Sequence, residues 1–299
     1  MLRAAHAGSM YPTGRALQNL LDDTFGDVSD FQQPAGTLKV IISPHGMYDN
    51  CSKTAVHSFK LVNPDKYNNI VILGPFLKKY IKMCSIVNAN RCETPLGLIN
   101  ISSDLARSIV DDNSDLFSFI DVNECEAEQS LEAVLPFVKY VFRERNISIL
   151  PIFVGDISYE SAKAVSSVLS PIISNPETLL IVTSTLCRGE LFDKEHLPNG
   201  NASTQTKFSL IDHETMDAIS TRNPQEFVDS IAKSHNNLSG EIPIYIAMNS
   251  MRGNYSVHWL HYSQHCKNNQ QRHRSIFRSR NQDETDFIVS YASGAFILE

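Results

Sequence analysis

No two of the six cysteines stand at the C-x-x-C spacing of a zinc knuckle or a redox pair; they are scattered at Cys51, Cys84, Cys92, Cys125, Cys187 and Cys266. Without a secretory leader, such thiols are expected to stay reduced inside a cell. The opening, MLRAAHAGSMYP, lacks the apolar core of a signal peptide, and no run approaches the roughly 18 apolar residues of a membrane span. An excess of basic charge is also missing. The formal net charge of −7 argues against a general nucleic-acid-binding or anionic-membrane surface. GxxxxGK[ST], GxGxxG and GxSxG do not occur, which counts against nucleotide, dinucleotide and α/β-hydrolase chemistry.

What is present is ordinary globular composition. Hydrophobic residues make up 42% and charged residues 20% of a 299-residue chain, enough for one large α/β domain or two smaller ones. Four short apolar runs, at residues 40–42, 69–74, 147–155 and 178–185, read as buried strands. Pro151 in the third suggests a bulge or a sheet edge. Helical spacing follows at 52–62 and 159–173, and three further helices are expected near 208–220, 224–234 and 243–251. Shorter strands are expected at 83–89 and 96–101, with a helix capped by Ser102 after them. Strands at 257–263 and 287–298 close the chain. Alternation of strands and helices predicts one α/β domain over 1–299, with a mostly parallel or mixed central sheet flanked by helices.

Chemistry is sparse. His45 follows the first buried strand at a Ser43-Pro44 stop, where a side chain projects into the crevice beyond the strands' carboxyl ends. It is either a metal or catalytic group, or a residue whose ring nitrogens hold the turn. Phe76-Leu77-Lys78 and Thr185 to Arg188 end two other strands and converge with it in a parallel sheet. His258, His261, His265 and Cys266 form the densest histidine cluster. In a regular strand His258 and His261 face opposite sides and cannot share a metal. His213 and His235 read as surface residues. A basic stretch carrying Lys267, Arg272, Arg274, Arg278 and Arg280 reads as a solvated excursion between two strands.

Eight motifs in order resemble the Memo family, whose fold is like that of class III extradiol dioxygenases: HAGSMY (6–11), IISPHGMY (41–48), ILGP (72–75), EQSLEAVLPF (128–137), LPIFVG (150–155), IVTSTLCRG (181–189), HNNLSGEIPI (235–244) and SYASGAF (290–296). The family usually reads PHAGY, GPSHH and EHSxExxLP, then a serine–aspartate pair followed by a histidine, and a cysteine–glycine before the last helix. Its metal group comprises the PHAGY histidine, a GPSHH histidine and that cysteine. Here the first is His45. Leu77 and Lys78 stand at the GPSHH histidines, Ser239 at the cysteine, Thr185 at the aspartate and Arg188 at its histidine partner. Gln129 replaces the histidine of EHS, and Met10 the tryptophan usual in HAGSWY.

The resemblance thus implies a ligand pocket of His45, Tyr48, Leu77, Lys78, Thr185, Arg188 and Ser239. No bound metal, no cofactor and no catalysis are expected, because leucine offers no lone pair and serine is a poor substitute for thiolate. It implies a protein that works by binding, in a signalling or adaptor role linked to cell motility, cytoskeleton or invasive growth, in the cytoplasm and also the nucleus. Expected partners are a protein, a phosphopeptide or another anionic ligand, because family members are associated with phosphotyrosine peptides and Arg188 and Lys78 suit an anion. The competing reading is a residual metal-dependent or redox enzyme in which Asp49, Cys187 or Glu132 supplements His45.

Overall fold

The first apolar run becomes β1 (Thr37–Ser43), and it lies inside the sheet, as its unbroken hydrophobicity requires. The computed structural model describes residues 1–29, 33–189, 203–267 and 287–299. Among these, β1, β8 (Thr178–Thr183), β2 (Asn69–Pro75) and β7 (Ser148–Val154) run parallel, in the spatial order β1-β8-β2-β7. Alternate residues of each strand feed opposite cores. Ile41, Ile72, Ile149 and Ile181 pack on one side, and Val40, Val71, Leu150 and Val182 on the other.

Helices cover both sides. The first core includes Leu17 and Leu21 of α1 (Gly14–Asp27), Ala55 and Phe59 of α2 (Tyr48–Phe59), and Phe137 and Val138 of α5 (Leu135–Phe142). The second takes Val165 and Leu169 of α6 (Tyr159–Ser174), Met216 and Ile219 of α7 (Thr204–Ser220), Phe227 of α8 (Pro224–Ser234), and Ile244 and Ala247 of α9 (Glu241–Ser250).

The sheet's margins are mixed. β11 (Phe287–Leu298) pairs antiparallel with β1 and with the edge strand β10 (Tyr255–Lys267). On the other side β3 (Cys84–Val87) runs antiparallel to β7 and parallel to β6 (Phe117–Ile120). β4 (Arg91–Thr94) and β5 (Gly97–Ile101) form a hairpin, β5 joining β7 in parallel. β4, β6 and the six-residue α4 (Val122–Ala127) go beyond the sequence expectation, being too short to carry a periodic signal.

Several expectations change. Pro151 lies in an interior strand, paired with Ile72 of β2. The opposite neighbour of β7 changes at that point, from β5 at Ser148–Ile149 to β3 at Ile152–Phe153, so a residue without an N–H sits in the gap. Ser102 occupies the N-cap of α3 (Ser103–Asp112), but its side chain makes no capping bond.

His258 and His261 do not follow simple alternation either. Register slips between Trp259 and His261. The Trp259 indole donates to Met216 O on the α7 side (3.0 Å), whereas His261 Nδ1 lies 3.0 Å from Thr54 Oγ1 of α2 on the opposite side. Two residues apart in a regular strand would share a face, so a bulge has inserted one residue. It puts His258 on the His261 side. Of the basic stretch only Lys267 is described; Arg272, Arg274, Arg278 and Arg280 lie outside the described residues.

Candidate functional site

β1 and β8 end side by side, because their parallel register runs to Ser43 opposite Thr183 and continues as Ser184 N–H donating to Ser43 O (3.1 Å). His45 therefore leaves β1 directly over the end of β8. Its Nδ1 lies 3.2 Å from Thr183 Oγ1, and its Nε2 lies 3.2 Å from Ser239 Oγ. Ser239 is held in turn. Its hydroxyl accepts from Thr185 N–H (3.0 Å) and lies 2.9 Å from Thr185 Oγ1, while its own N–H donates to Thr185 O (3.1 Å). Gly240, which caps α9, lets this segment close on β8: a Cβ there would stand 2.3 Å from Ser184 Cβ.

His45 is 7% exposed. Burial, reinforced by the nearby charge of Arg188, pushes the imidazole down to about 4, so it is neutral at physiological pH. A neutral imidazole offers one donor and one acceptor, and two hydroxyls can satisfy both. Arg188 itself is exposed, in the two-residue β9 (Arg188–Gly189) beside Val289 of β11. Its charge is also felt by Tyr291, whose phenol burial pushes up to about 12.

The β2–β3 loop is positioned by a residue with no family role assigned from sequence. Glu128 is 2% exposed, and its carboxylate accepts four backbone N–H groups: Leu77 (2.6 Å) and Lys78 (3.0 Å) on Oε2, Gln129 (2.8 Å) and Ser130 (3.0 Å) on Oε1. Ser130 Oγ donates to Pro75 O (2.6 Å), closing the same junction. The side chains of Leu77 and Lys78 are thereby left exposed.

The structure brings His45, Thr185 and Ser239 into one hydrogen-bonded chain and sets Arg188 within electrostatic reach. Tyr48 is placed elsewhere. It is buried in the first core, stacked on Phe137, with its hydroxyl donating to Ala133 O (2.8 Å). Thr183, a direct partner of His45, carries no signal of that role in the sequence, where it lies in a run that reads as buried strand. The candidate supplementary groups disperse. Asp49 is exposed in the first turn of α2. The Glu132 carboxylate accepts from His6 N–H (2.8 Å) and Tyr11 Oη (2.6 Å) and lies 2.9 Å from His6 Nδ1. The Cys187 thiol donates to Asn236 Oδ1 (3.1 Å), and burial beside Asp212 drives it far above the reactive range.

A Memo-like protein family model matches residues 3–277. The chain belongs to the Memo family. It is 28% identical to the memo-1 homolog of Caenorhabditis elegans, covering 99% of this chain and 82% of that protein. It is 26% identical to human MEMO1, covering 99% and 97%. Among solved structures, an uncharacterized protein of Escherichia coli K12 aligns at 8% identity with a TM-score of 0.48, over 85% of this chain and 99% of that one. The mixed, helix-flanked sheet agrees with the class III extradiol dioxygenase-like fold expected for a Memo protein.

Both ring nitrogens of His45 face hydroxyls, those of Thr183 and Ser239. Among the described residues no three His, Cys, Asp or Glu side chains are grouped to hold a metal ion. Among them, too, no helix is long and apolar enough to cross a membrane.

Proposed function

We propose that this Memo-family chain acts by binding rather than by catalysis, as a single domain over 1–299, with the crevice around His45 receiving an anionic group of a protein or phosphopeptide partner. The observation that carries the reading is the chain Thr183–His45–Ser239–Thr185, which occupies the imidazole with hydroxyls. Arg188 supplies fixed positive charge beside it, and Lys78 stands on the neighbouring strand-end loop. Because His45 is held neutral, the attraction rests on Arg188 and Lys78. A guanidinium takes a carboxylate or phosphate through two parallel hydrogen bonds, and an ammonium adds a point charge. The α2 and α9 N-termini begin within three residues of His45 and Ser239, and their partial positive ends favour the same sign of ligand. A signalling or adaptor role in the cytoplasm and nucleus belongs to this proposal.

Thermal unfolding in inorganic phosphate, sulfate and a phosphotyrosine peptide tests it. Binding to the folded state should raise the melting temperature, increasing salt should shrink the rise, and Arg188→Ala should abolish it. A melting temperature unchanged across all three ligands would refute the reading.

A further inference from the structure

Two charges of opposite sign face one cavity without meeting. The cavity, of about 500 Å³, opens between the end of α1, the outer face of α2 and the bulge of β10. Asp27 ends α1 on one wall, and Lys53 projects from α2 on another. Neither forms an ion pair among the described residues.

The third polar element is a pair of imidazoles. His57, one turn after Lys53, and His261 stack with ring centroids 4.3 Å apart and planes 18° from parallel. The β10 bulge makes this possible by turning His261 toward α2; bulges re-aim side chains in this way beside binding sites. His57 Nδ1 lies 2.8 Å from Lys53 O. A carbonyl can only accept, so Nδ1 carries the proton and the neutral ring keeps its lone pair on Nε2. Among the described residues that Nε2 has no hydrogen-bond partner. A metal ion lies in the plane of each imidazole that binds it, and two nearly parallel stacked planes cannot share one ion.

The lining residues therefore combine acceptors (the Asp27 carboxylate and the His57 imidazole), a cationic donor (Lys53), and apolar surface from Val28 and Leu260. The volume lies in the range of small-molecule sites. We propose that this cavity binds a small zwitterion. Its ammonium is held by Asp27 and His57 Nε2, its carboxylate by Lys53, and its short carbon chain lies against Val28 and Leu260. The site is independent of the crevice at His45 and uses none of its residues.

The test titrates the full chain with glycine, γ-aminobutyrate and 6-aminohexanoate, with butyrate and butylamine as half-ligands. Affinity is read by calorimetry and location by the ring resonances of His57 and His261. At least one zwitterion should bind and move both histidines, with each half-ligand at least about tenfold weaker. Lys53→Gln and Asp27→Asn, both at exposed positions, should each weaken that zwitterion about tenfold, while Arg188→Ala leaves it unchanged. The proposal is overturned if no zwitterion moves the histidines by about 10 mM, a free energy too small for a specific site. It is equally overturned if a half-ligand binds as tightly, or if Lys53→Gln has no effect.

Discussion

Ser239 Oγ lies 3.2 Å from His45 Nε2, joining residues 194 positions apart in the chain. In the Memo family a thiolate is expected at the position of Ser239. Here a hydroxyl meets the imidazole as a hydrogen-bond partner.

One consequence concerns metal. The wild-type chain is expected to carry well under one equivalent of copper, iron or zinc in elemental analysis after a mild chelator wash. The double variant Leu77→His, Ser239→Cys puts an imidazole on the loop after β2 and a thiolate against His45, and it is expected to retain about one equivalent of zinc, since both are good ligands for it. Equal metal content in the two proteins would count against the assignment of these positions.

Glu128 is the second point of leverage. Glu128→Ala removes a charged acceptor shared by four backbone N–H groups and leaves them without it. Removing such a buried partner is expected to cost about 3 kcal/mol or more in urea unfolding. Exchange of the Leu77 and Lys78 amides with solvent should accelerate beyond the global loss of stability. A cost under about 0.5 kcal/mol, the range of ordinary surface substitutions, would show that the loop is held by other means.

The pH dependence of stability follows from His45. The folded state lowers its pKa from 6.5 to about 4, so between these values the unfolded chain binds a proton that the native chain refuses. The stabilising contribution is whole above pH 6.5 and is lost as pH falls toward 4, on the order of 3 kcal/mol in all. His261, lowered by burial and by His57, acts in the same direction. His45→Gln should therefore flatten the acid limb in part. Arg188→Ala should raise the His45 titration midpoint modestly, because burial is the larger cause. An unmoved His45 midpoint in Arg188→Ala, followed by NMR, would place that guanidinium too far away to share a ligand.

The four short, mostly apolar runs determined by themselves that strands would be buried on both faces, and hence that a parallel centre would carry helices on both sides. The ordered motifs from His6 to Phe296 likewise identified the family. What the sequence could not state was which groups meet. Thr183 reads as one more strand residue until the β1–β8 register sets it under His45. Glu128 reads as part of an acidic stretch until its carboxylate closes on backbone N–H groups 50 positions away. Tyr48 is three residues from His45 and yet belongs to the core, because helix α2 turns it toward Phe137. Hydrophobic pattern is local and period-bound, so it survives in the chain. Register, bulges and long-range hydrogen bonds are set by packing between distant segments, and only the tertiary structure decides them.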